Sequence, residues 1–490
     1  MAKRFIILSI LLLYPMSLSA QLFGIKLKGK VQELLSSEKN GLEGILTDPK
    51  ICPTSIQHFS FTRQLGKNHY LYIYNISDQT VMEVTPATSQ GGLSITPDPR
   101  SNQSPVYNDQ LDWRPVNDKL GRQWFAFVNG SEDNHDIYLG YVGGNNYLRL
   151  TTDIEVDESP KWSPDGETLA FLSTRNGNSD IYFINNIDEV IANRPLTPAE
   201  QITFTGHEII QFEWNPNPRS NLLAYARRSI DSQGNETFQL YVMDVKNRTN
   251  PPLPVSNATY LREPLHHCTR PLWNPYKDNQ LLFVGQPVFK DSPANLYIVQ
   301  LYWSKNNTLV SRLLSGKNTE VFKNVRLNGT PAVWLPGGDG ILCQLENRQQ
   351  QYPLFSVNVV RWAKREVQVT NFFEELHQNY PHISGYDVRD NPEDIKADAL
   401  MIFSTQQGKY FKLFAGRLAS DDVLPVVYLP RWVMNNPVGK GPGFPWNVMR
   451  SPWFLGAVAG AAAGYTCAVI CGGDDPFKIP DPPSMPGSGQ

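Results

Sequence analysis

The chain has 490 residues, with 44 Lys and Arg against 47 Asp and Glu, for a net charge of −3. A balance this close to zero supplies no field for a polyanion and argues against a nucleic-acid partner. Hydrophobic residues make up 41% of the chain, and 11 Trp, 21 Tyr and 23 Phe are among them, which is enough to fill the core of a large all-β domain and excludes a disordered chain.

In chain order, the first segment has the form of an export signal. Lys3 and Arg4 precede an apolar run from Phe5 to Leu13, and Leu18-Ser19-Ala20 offers a cleavage site before Gln21. Residues 1–20 are therefore read as a signal peptide, with an uncleaved membrane anchor as the alternative. No Cys follows the cleavage site, so a lipidated start is not expected. In residues 21–54, Val31, Leu34, Leu35, Leu42 and Ile45 fall at loosely helical spacing between Lys and Glu, which predicts a short helix packed on the following domain. Ala87 to Gln110 is rich in Ser, Pro, Gly, Asn and Gln and reads as a long connecting loop.

One block then recurs. Its clearest copy is Ser159-Pro160-Lys161-Trp162-Ser163-Pro164-Asp165-Gly166 followed by an apolar run from Leu169 to Ser173 and by Asp180-Ile181-Tyr182-Phe183. A strand ends in Trp, a Pro-Asp-Gly turn reverses it, and two more strands follow. Trp113, Trp162, Trp214, Trp273 and Trp334 open such units at steps of 49, 52, 59 and 61 residues. Pro presets φ at the first turn position, and Gly or Asn accepts φ > 0 further on. Weaker copies flank these five, at Phe59–Arg63 with Tyr70–Tyr74 and at Ala399–Phe403 with Phe411–Ala415. The first lacks a Trp strand, and Val426–Leu429 is the candidate outer strand of the last.

Units of about four short strands that cannot bury both faces alone predict an all-β chain. Its expected form is a β-propeller of about seven four-stranded blades over residues 55–430. Six blades is the nearest alternative count. Radial closure removes the long sheet edges an open array would expose. The block from Ser159 to Ile184 resembles the WD40-like (PD40) repeat of TolB-type propellers of the bacterial envelope, most clearly at Trp162–Gly166 and Asp180–Tyr182. That resemblance implies partners among envelope or secretion-system proteins, with binding through loops or the channel mouth. The separate α/β domain of that family has no counterpart here, because residues 21–48 are too short to form one.

Beyond the repeats, residues 431–452 form a Gly/Pro linker. Residues 453–471 are an apolar, uncharged run expected to be helical, with Gly456, Gly460 and Gly464 recurring every four positions. Such a face admits close approach of a second helix, and the length reaches the lower limit for a bilayer span. Membrane contact, insertion into an envelope assembly and self-association are the readings of this segment. The positive-inside trend opposes a span, since Lys440 and Arg450 would lie outside. Residues 472–490 read as a disordered Pro-rich tail.

Enzymatic signatures are sparse. The chain has no Gly-x-Ser-x-Gly, no His-Glu-x-x-His, no Cys-x-x-Cys and no Gly-x-x-x-x-Gly-Lys-Ser/Thr phosphate loop, so neither a cofactor nor an obvious small-molecule substrate is expected. His266-His267 lies near the start of an inner strand and is the one hint of channel chemistry, as a metal site or base. The opposing reading is an exposed loop pair. Asp136 and Asp180 occupy equivalent repeat positions and are read as carboxylates that close turns by accepting backbone N–H bonds, with a Ca²⁺ site as the alternative. The repeated Trp residues are read as inter-blade core. Cys52, Cys268, Cys343, Cys467 and Cys471 form no disulfide framework, and the last two, four apart, are read as small apolar residues of a helix rather than a redox pair.

Overall fold

A computed structural model describes residues 25–85, 106–131, 134–192, 198–231, 233–255, 265–275, 277–287, 294–305, 308–313, 332–335, 338, 340–344, 354–358, 366–368, 377–387, 398–407 and 409–420. The described residues are almost wholly β. Successive antiparallel strands form units of four, each wound outward from its first strand, and single parallel pairings, His69 with Tyr107 and Phe238 with His267, join the first unit to the second and the fourth to the fifth. The first unit holds β2 (Ile45–Ile51), β3 (His58–Leu65), β4 (Asn68–Asn75) and β5 (Thr80–Glu83). The second holds β6 (Tyr107–Trp113), β7 (Trp124–Ser131), β8 (Asn134–Tyr141) and β9 (Leu148–Arg149). The third holds β10 (Asp157–Trp162), β11 (Leu169–Ser173), β12 (Asp180–Ile184) and β13 (Glu200–Gln201), with the short helix α1 (Ile187–Ile191) between the last two. The fourth holds β14 (Ile209–Trp214), β15 (Leu222–Ile230), β16 (Glu236–Asp244) and β17 (Leu253–Pro254). The fifth holds β18 (Leu265–Trp273), β19 (Gln280–Pro287), β20 (Asn295–Trp303) and β21 (Leu309–Leu313). The sixth holds β22 (Ala332–Trp334), β23 (Gly340–Gln344), β24 (Leu354–Asn358) and β25 (Glu366–Gln368).

The remaining sheet joins the two ends of the domain. Its order is β1 (Ile25–Ser36), β28 (Tyr410–Ser420), β27 (Asp398–Gln407) and β26 (His377–Asp387). β1 runs antiparallel to β28, with Ile25 opposite Ser420 and Ser36 opposite Lys412. The helix expected in residues 21–54 is therefore replaced by two strands. The local alternation Ile25-Lys26-Leu27-Lys28 has the period of a strand, and the vacant edge of β28 supplies its partner. β1 takes the outer place for which Val426–Leu429 was the candidate, and β2 supplies the first strand that the first unit was expected to lack, with Ile51 in the place of Trp. Val426–Leu429 and residues 431–490 lie outside the described residues, as do residues 1–20.

First strands pack on first strands around a centre: β6 on β10, β10 on β14, β14 on β18, β22 on β26, and β26 back on β2. The chain is a β-propeller. Among the described residues its core is distributed around the wheel in six clusters, each joining a pair of neighbouring blades. Trp113, Phe125 and Phe127 pack with Leu71 and Ile73 of the first blade. Trp162 and Phe171 pack with Trp124 and Leu139 of the second. Leu35, Leu46, Phe59, Ile402 and Leu413 knit the closing sheet to the first blade. Strands inside these sandwiches are apolar on both faces, which explains why β11 and β12 are buried along their whole length.

Closure through β1 predicts that its buried side chains carry stability. Leu35 is 1% exposed, so Leu35→Ala should cost about 2–5 kcal/mol, read as a fall in the urea midpoint. Gln32→Ala, on the exposed side of the same strand, should stay within about 0.5 kcal/mol.

Candidate functional site

Four inner strands, β2, β6, β10 and β18, carry a bulge three residues before the Trp position. Asp48, Gln110, Ser159 and Arg270 have φ of 48°, 56°, 54° and 56° there, and the pairing register slips at the same points. A bulge bends the strand and re-aims its side chains. The residue immediately before the Trp position then faces the central channel. Around the wheel these residues are Lys50, Asp112, Lys161, Glu213, Leu272 and Val333. Among these described residues the first four alternate in charge and the last two are apolar.

The charges are spent on one another and on the backbone. Lys161 Nζ lies 3.0 Å from Glu213. Lys50 Nζ lies 3.1 Å from Asp48 and donates to Leu111 O at 2.8 Å. Burial pushes the Asp112 carboxyl up, against the pull of Lys161, Lys50 and the Trp162 N–H that it accepts. Burial would lower the Lys161 ammonium, but Glu213 and Asp112 outweigh it and hold it above the usual lysine range.

The five repeat tryptophans stand at the far end of these strands, each between 3% and 9% exposed. Each indole N–H donates to the backbone carbonyl of the channel-facing residue in the preceding blade. Trp113 reaches Lys50 O at 2.9 Å, Trp162 reaches Asp112 O at 3.1 Å and Trp214 reaches Lys161 O at 3.3 Å. Trp273 reaches Glu213 O at 3.1 Å and Trp334 reaches Leu272 O at 3.2 Å. The residue after Trp latches in the opposite direction. Arg114 Nε donates to Gly166 O at 2.9 Å, and Asn274 Nδ2 donates to Gly338 O at 2.8 Å. Gly166 has φ of +73°, and a Cβ there would lie 2.6 Å from Val116 Cγ2. Asp165 closes the same turn, bonding Ser163 Oγ at 2.5 Å and Glu167 N at 3.1 Å, while Pro164 occupies its first corner.

Asp136 and Asp180 hold blades together internally. Thr151 donates to Asp136 at 3.2 Å and Thr203 to Asp180 at 2.7 Å. The same hydroxyls accept the N–H groups of Ile137 and Ile181 at 3.0 and 2.9 Å. The expected backbone bonds to these carboxylates thus run mainly through a Thr relay. Tyr182 is buried, and the Arg175 guanidinium lies 4.8 Å from its ring centre.

His266 and His267 belong to β18 rather than to an exposed loop. His267 packs on Phe238, with ring centres 5.3 Å apart, and burial lowers its pKa. His266 Nε2 is 3.9 Å from Asp231. Among the described residues no cluster of three or more His, Cys, Asp or Glu is arranged to hold a metal ion. Cys52, Cys268 and Cys343 are buried and form no disulfide among the described residues. Cys467, Cys471, Gly456, Gly460 and Gly464 lie outside the described residues.

A polar cluster that the sequence did not single out lies where the first two blades meet. His69 Nδ1–H donates to Asp109 Oδ2 at 2.7 Å, and Thr62 donates to Asp109 Oδ1 at 2.6 Å. Tyr107 stacks between His69 and His135, with ring centres 5.0 and 4.8 Å away. His135 Nδ1–H donates to Ser131 O at 3.0 Å, which leaves Nε2 enclosed with no partner among the described residues. His69 and Asp109 are forty residues apart on different blades, so only a spacing set by the wheel unites them.

No family model matches the chain. Among curated proteins it is similar to a TolB homologue from Chlorobium luteolum, 28% identical over 137 residues, which is 28% of this chain and 26% of that protein. It is also similar to the Tol-Pal system protein TolB of Desulfosudis oleivorans, 37% identical over 57 residues, 12% of this chain and 13% of that protein. The matched stretches are similar to parts of TolB proteins. The chain spans only about a quarter and an eighth of the lengths of these two TolB relatives. Among solved structures, TolB from Acinetobacter baumannii aligns at 13% identity and TM-score 0.32 over 74% of this chain and 79% of that one. An oligogalacturonate lyase from Vibrio parahaemolyticus aligns at 9% identity and TM-score 0.47, over 83% of this chain and 98% of that one.

Two outcomes test this geometry. Trp162→Phe removes one indole bond and orphans the Asp112 carbonyl, and should cost about 1–3 kcal/mol in chemical denaturation. The bonds from His69, Thr62 and the Gln110 N–H outweigh burial and hold the Asp109 carboxyl below its ordinary value. A lowered folded pKa stabilises above the unfolded value of about 3.9 and loses that effect as pH falls toward the folded one. Asp109→Asn should therefore destabilise at pH 7, and its deficit against the native chain should shrink as pH drops below about 4.

Proposed function

We propose that the chain is a non-enzymatic, protein-binding propeller of the bacterial envelope, exported to the periplasm, with envelope or secretion proteins as partners. The similarity to a Tol-Pal system protein supports the compartment and the class of partner. The observation that carries the binding role is the distribution of exposed apolar groups. Ile154 and Phe204, on the loops that enter the third and fourth blades, are 82% and 76% exposed, and Ile230, at the end of β15, is 70% exposed. The antiparallel winding brings all three to the face where inner strands start. Isolated apolar residues on a surface are ordinary, but tips repeated on one face of adjacent blades mark an interaction surface. Tethering through residues 453–471, to a membrane or an assembly, is part of the same reading.

A channel-sited hydrolase or lyase acting on a sugar or small ester is the second reading. One observation favours it: the His69–Asp109 pair has the form of a base held by an orienting carboxylate.

A photoreactive amino acid introduced at Phe204, and separately at Leu120, separates these outcomes. Leu120 is 76% exposed but lies on the opposite face, in the loop after Trp113. Adducts with envelope proteins from position 204 and not from position 120 are expected. No adducts, or equal adducts at both positions, would sink the scaffold reading, and a stoichiometric metal in the purified protein would favour the enzyme.

A further inference from the structure

The same face carries a charge pattern that selects among protein partners, and the argument here rests on the scaffold reading above. Two arginines lie among its apolar tips, and each is clasped by two carboxylates. Arg175 is 2.9 Å from both Asp153 and Asp157. Arg228 is 2.8 Å from Glu208 and 2.7 Å from Glu236. Each trio carries a net negative charge, and its cation is already committed. Glu155 is exposed next to Ile154, Glu158 is half-buried as the second residue of the third blade's inner strand, and neither has an ion-pair partner among the described residues. Local hydrogen bonding gives no reason for this acidic excess, because the turns beneath are closed by other groups. Ile209 N–H donates to Ser179 O, and Arg228 N–H donates to Glu208 O, both at 2.8 Å.

We propose that this face, over the second to fourth blades, docks a cationic amphipathic segment of a partner protein. Its apolar side chains lie on Ile154, Phe204 and Ile230, and its Lys or Arg side chains lie against Glu155 and Glu158. Complementary charge sets orientation and association rate, and the apolar tips supply the contact that holds the complex. An anionic partner meets repulsion from the carboxylates, and an anionic lipid surface is disfavoured for the same reason.

Fluorescence anisotropy on the purified full chain, with a labelled Leu/Lys amphipathic peptide of about 18 residues, tests this. A peptide of the same pattern with Glu in place of Lys is the control. The Leu/Lys peptide should bind at least about tenfold tighter than the Leu/Glu peptide. Phe204→Ser and the double variant Glu155→Lys, Glu158→Gln should each weaken it by about tenfold, and about 0.5 M NaCl should weaken the native chain as the charge variant does. Unchanged circular-dichroism melting curves would show that these substitutions leave the fold intact. Absence of Leu/Lys binding, equal binding of the two peptides, or binding indifferent to both variants overturns the proposal. If adducts still form at position 204 in that case, the scaffold role survives and only the cationic partner falls.

Discussion

The indole N–H of one blade bound to the inner-strand carbonyl of the blade before it is the contact on which the rest of the domain depends. It occurs five times with the same two atoms in the same repeat positions, from Trp113 on Lys50 to Trp334 on Leu272. A sheet edge at the centre of a wheel carries backbone groups that its own blade cannot satisfy, and burying them unpaired would be costly. The Trp side chain answers that need while its rings fill the wedge between sheets. One residue type thus sets the spacing between blades and the direction in which the next channel-facing side chain is aimed.

The second latch, from the residue after Trp to the next turn, runs the opposite way. Arg114 combines a bond to Gly166 O, an ion pair with Asp188 at 2.6 Å and a place over the Trp162 ring. Neighbouring blades are therefore clamped from both sides, and the loops on the opposite face are free to vary. The proposed binding uses those loops, as is usual when a rigid scaffold presents its tips.

Much of this was legible in the sequence because the repeat is local. Trp, Pro-Asp-Gly and the Tyr strand lie within about thirty residues, and their turn chemistry and strand period speak for themselves. What failed was long-range. Residues 25–36 have Leu34 and Leu35 at helical intervals, and nothing nearby shows that a strand four hundred residues away offers them an edge. The inner strand of the first blade was missed because Ile51 stands where a Trp was sought. The His69–Asp109 pair and the Tyr107 stack were invisible for the same reason, since no local pattern joins β4 to β6. Asp136 and Asp180 recur at one repeat position, but their Thr partners lie 15 and 23 residues further along the chain, beyond the reach of any turn pattern.

The union of β1 with β28 has a kinetic side. Loop-closure entropy must be overcome before such a contact returns any energy, and the two strands are separated by nearly the whole domain. The blades between can stack progressively as the polypeptide lengthens, yet the circle stays open, with an unsatisfied edge at each end, until residues 410–420 have emerged. Of the described strands β1 comes first and its partner β28 last, so the ring cannot close before the whole domain is available, and anything that holds residues 25–36 in the meantime delays that closure.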